Sequence, residues 1–173
     1  MARALIILAK EGYQDLEEEG TRRGLEEAGF TVVTASTSAG LCRGKLGGMR
    51  KASCAFSDIN AGHYDRIAFI GGPGALSLAD DPEAHRIVQD AVRLHIPLGA
   101  ICIAPRILAS AGVLRGKRGT VWNGDSEQGA YLEEQGAIFT QEDVTIDGLI
   151  VTANGPNAAD AFGKALAACD SSR

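Results

Sequence analysis

Short apolar runs alternate along this chain with longer segments of helical period, and this alternation constrains the fold more than any other feature. The first run, residues 4–9, holds six apolar residues in a row, as expected for a strand that is buried on both faces. Residues 14–28 follow, rich in Glu, Leu and Arg, and Gly29 marks the end of this predicted helix. Such strand–helix alternation predicts an α/β fold, a mostly parallel sheet with helices on both faces.

The remaining segments continue this alternation. Further strands are predicted at residues 30–35, 67–70, 96–101, 120–122, 138–139, 144–146 and 149–151. Further helices are predicted at residues 81–95, 105–111, 126–135 and 156–168. Residues 36–50 are rich in Gly and Ser and predict a loop or a hairpin outside the main repeat. We expect one domain over residues 1–173, because two independent cores would each be unusually small.

Charge and composition exclude several classes of function. Seventeen Lys and Arg against 22 Asp and Glu give a net charge of −5, with no basic cluster that would attract nucleic acid or an anionic membrane. The apolar run at residues 4–9 is far below the roughly 20 residues that span a bilayer. The sequence shows no secretory signal pattern, so we expect a cytoplasmic protein whose partners are neither nucleic acids nor membranes.

The four cysteines stand at positions 42, 54, 102 and 169, without a CxxC pair or paired histidines at metal-ligand spacing. Neither a disulfide framework nor a structural zinc site is favoured, and no metal is expected. Cys42, Cys54 and Cys169 are interpreted as packing or surface thiols.

The segment Ala100-Ile101-Cys102-Ile103-Ala104-Pro105 is the most informative stretch of the sequence. Cys102 has a small residue two positions before it and two positions after it, between a predicted strand and a predicted helix. This is the pattern of a nucleophile elbow. The helix N-terminus would lower the pKa of the thiol from its usual ~8.5, so we expect a thiolate. The alternative is that Cys102 is a small buried hydrophobe.

Two other loops are relevant, because ligands of open α/β sheets bind beyond the carboxyl ends of the strands. Gly71 and Gly72 end a predicted strand, and a backbone N–H there could join that of Ile103 in an oxyanion hole. A phosphate cradle or a simple tight turn would also explain the glycines.

Glu17 falls on a helical stripe of small residues, so it could point inward and move a proton for the sulfur. A solvent-facing carboxylate is the alternative.

None of the three histidines lies on a loop of the predicted catalytic edge. His63 precedes a strand, and His85 and His95 belong to the helix before the elbow strand. All three are interpreted as surface residues.

The order of these motifs resembles that of the DJ-1/PfpI superfamily, over residues 4 to about 168. The matching residues are Asp15-Leu16-Glu17, Ile70-Gly71-Gly72, Ala100-Ile101-Cys102, Ala104-Pro105, residues 147–152 and Gly155-Pro156. The resemblance implies a flavodoxin-like three-layer sandwich with a nucleophile elbow, assembled as a homodimer or a higher homo-oligomer. It also implies that Cys102 is the nucleophile, that Glu17 contacts it, and that Gly72 and Ile103 supply the oxyanion donors.

The sequence departs from two branches of that superfamily. At the elbow, Ile103 stands where the protease-like branch has a histidine. Without that imidazole, a Cys–His peptidase mechanism would lack its general base. The acidic residue of that branch after the double glycine is also missing, since Gly74-Ala75-Leu76 stands there.

Trp122 and Asn154 align where the branch of the Parkinsonism-associated protein tends to have His and Arg. We predict that both line the pocket together with Gly71, Trp122 as an apolar wall and Asn154 as a neutral hydrogen-bonding group.

The resemblance implies a cysteine-dependent, cofactor-independent enzyme that protects against stress by acting on small reactive carbonyls. Such glyoxalase or deglycase chemistry would convert methylglyoxal to a hydroxy acid. The first alternative is a redox-sensing or chaperone-like protein in which Cys102 oxidises. The second is a cysteine peptidase that takes an imidazole from a neighbouring subunit.

Overall fold

The structure, a computed structural model, describes residues 1–170. Its strands are β1 (Arg3–Ile7), β2 (Glu11–Tyr13), β3 (Thr31–Ser36), β4 (Gly40–Gly44), β5 (Met49–Ala52), β6 (Cys54–Ala55), β7 (Arg66–Phe69), β8 (Leu98–Ile101), β9 (Arg118–Gly119), β10 (Ile138–Phe139), β11 (Val144–Asp147) and β12 (Ile150–Ala153). Its α-helices are α1 (Asp15–Glu27), α2 (Pro82–Arg93), α3 (Pro105–Ser110), α4 (Gln128–Glu134) and α5 (Ala159–Ala168). Short 3-10 helices lie at Phe56–Asp58, Ala61–His63, Pro73–Asp80 and Pro156–Ala158.

A seven-stranded sheet forms the middle layer, in the order β11-β12-β8-β7-β1-β3-β6. All neighbours in it run parallel except β11 and β12, which form an antiparallel pair. Residues 4–7 of β1 are fully buried, as expected for a strand with helices over both faces.

Helices cover both faces of this sheet and separate two apolar cores. On one face, α1 and α5 contribute Leu25 and Phe162 to one core; on the other, α2, α3 and α4 bury Ile87, Leu108 and Leu132 in the second. The two helices of the first face approach closely, because a Cβ on Gly24 of α1 would lie 2.7 Å from the backbone of α5. The predicted flavodoxin-like three-layer sandwich is confirmed.

The predicted hairpin outside the main repeat is also present. Strands β4 and β5 pair antiparallel and, with β2, form a separate three-stranded sheet. This small sheet lies next to the start of α1, since the Asp15 carboxylate accepts hydrogen bonds from Leu46 N–H at 2.7 Å and Gly48 N–H at 2.9 Å.

Two predicted elements differ in the structure. The predicted strand at residues 120–122 is wrong, because Thr120 N–H donates to the Thr152 hydroxyl at 3.0 Å rather than to a ladder carbonyl. The helix predicted at residues 81–95 ends at Arg93, and His95 has a φ of 57°, which no helix continues.

The parallel arrangement brings four loops to one edge of the sheet. The carboxyl ends of β1, β7, β8 and β12 lie side by side there, so the segments that follow them meet. These segments carry Glu17, Gly71, Cys102 and Asn154. Among residues 1–170 we find no helix with the length and apolarity that crossing a membrane requires.

Candidate active site

Cys102 occupies a strained turn between β8 and α3. Its φ of 65° lies in the left-handed region, which costs a residue with a side chain about 1–3 kcal/mol. Two backbone hydrogen bonds hold it there: its N–H donates to Ala153 C=O at 2.8 Å, and its C=O accepts from Trp122 N–H at 2.8 Å. Pro105 then begins α3 without needing an N–H partner. The backbone geometry is that of the predicted nucleophile elbow, and the side chain is partly exposed.

Glu17 points inward from the first turn of α1. The Gln14 side chain caps this helix by accepting from the N–H groups of Leu16 and Glu17. The Glu17 side chain is fully buried, and its Oε1 accepts from Gly71 N–H at 3.0 Å. The carboxyl also interacts with the Cys102 thiol. Its Oε2 makes no hydrogen bond of standard geometry with the described residues.

The two glycines after β7 allow these groups to approach each other. A Cβ on Gly71 would lie 2.7 Å from both Cys102 Cβ and Glu17 Oε1, so a larger residue would separate the pair. Gly72 has a φ of 104°, which favours glycine. The N–H groups of Gly72 and Ile103 face the sulfur, where they lower the pKa of the thiol. These are the two donors that the sequence suggested for an oxyanion.

Burial dominates the protonation of this pair. It raises the pKa of Glu17 to about 7, against smaller lowering effects from Cys102, the Gly71 N–H and Lys45. Burial, followed by the Glu17 charge, raises the pKa of Cys102 to about 12. The expected resting thiolate is therefore wrong: the N–H groups of Gly72 and Ile103 do not outweigh desolvation and the neighbouring Glu17 carboxylate.

The pair is consequently arranged for proton transfer rather than for storing a thiolate. Near neutral pH, Glu17 is poised between its acid and base forms, while the sulfur holds its proton. A general base works best when its pKa is close to the working pH. Glu17 can thus accept the thiol proton as the sulfur attacks, and return it later.

Glu17→Gln is expected to raise the free energy of unfolding by about 3 kcal/mol at pH 8 and to leave it nearly unchanged at pH 4. The folded protein keeps the Glu17 proton up to about pH 7, whereas an unfolded chain releases it near pH 4.5. Between these values the folded state binds more protons, so the wild type loses stability as pH rises. Urea unfolding of both proteins at the two pH values measures this, with exposed Glu19→Gln as the control.

The sequence predicts Trp122 and Asn154 as pocket residues, and both lie beside the elbow. They line two neighbouring cavities of about 420 Å³ and 300 Å³, the larger of which extends over residues 154–158. Trp122 is partly exposed and Asn154 donates its side-chain amide to Asp143 Oδ1 at 3.1 Å. Cys102 lines neither cavity and is joined to Trp122 by a backbone hydrogen bond, so a pocket shared by Trp122, Asn154 and the sulfur stays a prediction.

No imidazole accompanies the sulfur within residues 1–170. His63 bonds to Asn60 and His85 to the Ala79 carbonyl, and no histidine contributes to the electrostatic surroundings of Cys102. A Cys–His pair is therefore not formed within the described part of the chain. Nor do those residues contain three or more Cys, His, Asp or Glu side chains grouped to hold a metal ion.

The fold and the site define an α/β protein with a cysteine at a nucleophile elbow, backed by a buried carboxyl group. The sequence profile of the DJ-1/PfpI family matches residues 2–169, and the chain belongs to this family.

Similar proteins agree with this assignment. A deglycase of Pyrococcus abyssi is 30% identical, over 88% of this chain and 90% of that protein. A glutathione-independent glyoxalase of Caenorhabditis elegans is 27% identical, over 92% of this chain and 83% of its own. The crystal structure of a ThiJ/PfpI domain protein from Brachyspira murdochii superposes with a TM-score of 0.91 at 28% identity, covering 95% of this chain and 94% of that one.

Proposed function

We propose that this protein is a cysteine-dependent enzyme that acts on small reactive carbonyl compounds, with methylglyoxal as a substrate. The observation that carries the proposal is the Cys102–Glu17 pair, a partly exposed sulfur beside a buried carboxyl whose pKa lies near 7. The names deglycase and glyoxalase among the relatives support the same class of chemistry.

The first step forms a bond between the Cys102 sulfur and the aldehyde carbon. The thiol proton passes to the Glu17 carboxylate as the sulfur attacks. The aldehyde oxygen gains negative charge, which the N–H groups of Gly72 and Ile103 stabilise before the proton is returned. The product is a hemithioacetal bound to the enzyme.

The second step moves hydrogen between the two carbons of the former dicarbonyl. The Glu17 carboxylate removes the proton from the carbon that carries the sulfur, and reprotonation at the neighbouring carbon gives a thioester of lactic acid. Water then attacks the thioester, the carbon–sulfur bond breaks, and the thiol regains its proton. The aldehyde carbon is oxidised and the ketone carbon reduced, so methylglyoxal and water give lactate without an external oxidant.

The direct test is turnover by the purified protein. Methylglyoxal is followed by its loss and lactate by its appearance, without added glutathione. We expect one lactate for each methylglyoxal consumed. Loss of methylglyoxal without lactate would show only chemical trapping by protein side chains and would contradict the proposal.

A redox-sensing role is less well supported by the same geometry. Oxidation by peroxide requires a thiolate, and burial beside Glu17 raises the pKa of Cys102 instead of lowering it. Peptide mass spectrometry after mild peroxide distinguishes the two roles. Selective oxidation of Cys102 in a protein without turnover would favour the sensor.

A further inference from the structure

The turn between β4 and β5, residues 44–48, is fixed to the start of α1 by hydrogen bonds on both sides. The Asp15 carboxylate accepts from Leu46 N–H at 2.7 Å and from Gly48 N–H at 2.9 Å. On the other side, Lys45 N–H donates to Tyr13 C=O at 2.8 Å. The turn is therefore held against Asp15, which lies two residues before Glu17 in α1.

Two glycines of this turn, Gly44 and Gly48, are required by that attachment. A Cβ on Gly44 or Gly48 would overlap the Asp15 carboxylate, so neither position accepts a larger residue without breaking the attachment. Gly44 N–H also donates to Gly48 C=O at 2.8 Å and closes the turn. Lys45 is consequently carried by a rigid segment, although its own side chain is exposed.

The segment that holds Lys45 also packs against the proposed oxyanion hole. Gln14 N–H donates to Gly71 C=O at 2.9 Å, and a Cβ on Gly72 would lie 2.6 Å from the Gln14 nitrogen. The backbone of Lys45 is thus separated from that of Gly72 by the Tyr13–Gln14 segment alone. Its charge reaches the site, since Lys45 is the charged side chain that lowers the pKa of Glu17.

The Lys45 ammonium has no ion-pair partner within residues 1–170. The carboxylate attached to its turn, that of Asp15, accepts from backbone N–H groups instead. A lysine on a turn this close to the backbone of Gly72 has three N–H donors that can bind a phosphate or a carboxylate of the ligand.

We propose that Lys45 binds an anionic group of the substrate, so that the enzyme prefers 2-oxoaldehydes that carry a phosphate or carboxylate over neutral methylglyoxal. This rests on the proposed function and uses the same chemistry. A phosphorylated 2-oxoaldehyde and water give the phosphorylated 2-hydroxy acid, and no co-reactant is needed. Lys45 is a specificity residue that touches the substrate away from the reacting carbon.

The kinetic test compares methylglyoxal with 3-phosphooxy-2-oxopropanal in four proteins. We expect the wild type to have the higher kcat/KM on the phosphorylated compound, and Lys45→Met to raise KM for that compound about 10-fold. KM for methylglyoxal should rise much less, and kcat for both compounds should change together, because Lys45 also lowers the pKa of Glu17. Lys45→Arg should keep the preference, and Lys51→Met, which changes an exposed lysine of β5, is the matched control. An equal rise in KM for both substrates in Lys45→Met would overturn the proposal.

A binding measurement separates this proposal from the proposed function. In a Cys102→Ala background, which cannot turn over substrate, calorimetry with 3-phosphoglycerate should show affinity about 10-fold weaker when Lys45→Met is added. Equal binding with and without Lys45 would overturn the role of Lys45 even if turnover is found. Binding that depends on Lys45 in a protein without turnover would contradict only the proposed enzyme.

Discussion

Cys102→Ala is expected to lower kcat/KM for methylglyoxal by about 10³-fold or more, because the thiol beside Glu17 and the N–H groups of Gly72 and Ile103 is lost. The matched control is Cys54→Ala, which removes another partly buried thiol on β6, at the outer edge of the sheet. We expect that variant to keep activity within twofold. Lactate formation under single-turnover and steady-state conditions measures both.

Folding has to be compared at the same time. Alanine also has to adopt the left-handed backbone of residue 102, so the midpoint of urea unfolding should be determined for each variant. An inactive Cys102→Ala protein that unfolds like the wild type supports the nucleophile. Activity retained at more than a tenth in that protein would contradict the mechanism.

Glu17→Gln is expected to lower kcat by about 10²- to 10⁴-fold, the range typical of a general acid–base group. Glutamine keeps the size of the side chain and an oxygen for Gly71 N–H, but it cannot carry the proton of the thiol. In the wild type, kcat should rise with pH through about 7 as the Glu17 carboxyl ionises. The variant should lose this rise.

Glu19→Gln is the appropriate control, because it makes the same change on an exposed position of the same helix. We expect its pH profile to match that of the wild type. A Glu17→Gln protein that keeps the rise through pH 7 would show that another group controls the reaction.

The elbow could be predicted from sequence because its requirements are local. Small residues on both sides of Cys102 and a proline at the first position of α3 sufficed to indicate the turn that the structure shows. The mostly parallel sheet between layers of helices followed from the same kind of local pattern. The strand predicted at residues 120–122 is not formed, because Thr120 N–H donates to the side chain of Thr152. Strand propensity does not account for such a side-chain partner.

The protonation of the site could not be predicted in this way. The pKa of Cys102 depends on how deeply the sulfur is buried and on a carboxylate 85 residues earlier in the chain, and both follow only from the packed fold. Lys45 was missed for a similar reason. It belongs to a hairpin outside the main repeat, and only the attachment of that hairpin to Asp15 brings it to the site.

The account is tested most directly by the pH dependence of Cys102 alkylation with iodoacetamide, followed by peptide mass spectrometry. Cys54, another partly buried thiol, serves as the internal reference. The wild-type rate is predicted to rise as Glu17 ionises near pH 7 and then to level off, whereas in Glu17→Gln this step should vanish. A rate that rises through about pH 8.5 in both proteins, as for an unperturbed cysteine, would contradict proton transfer between the two side chains.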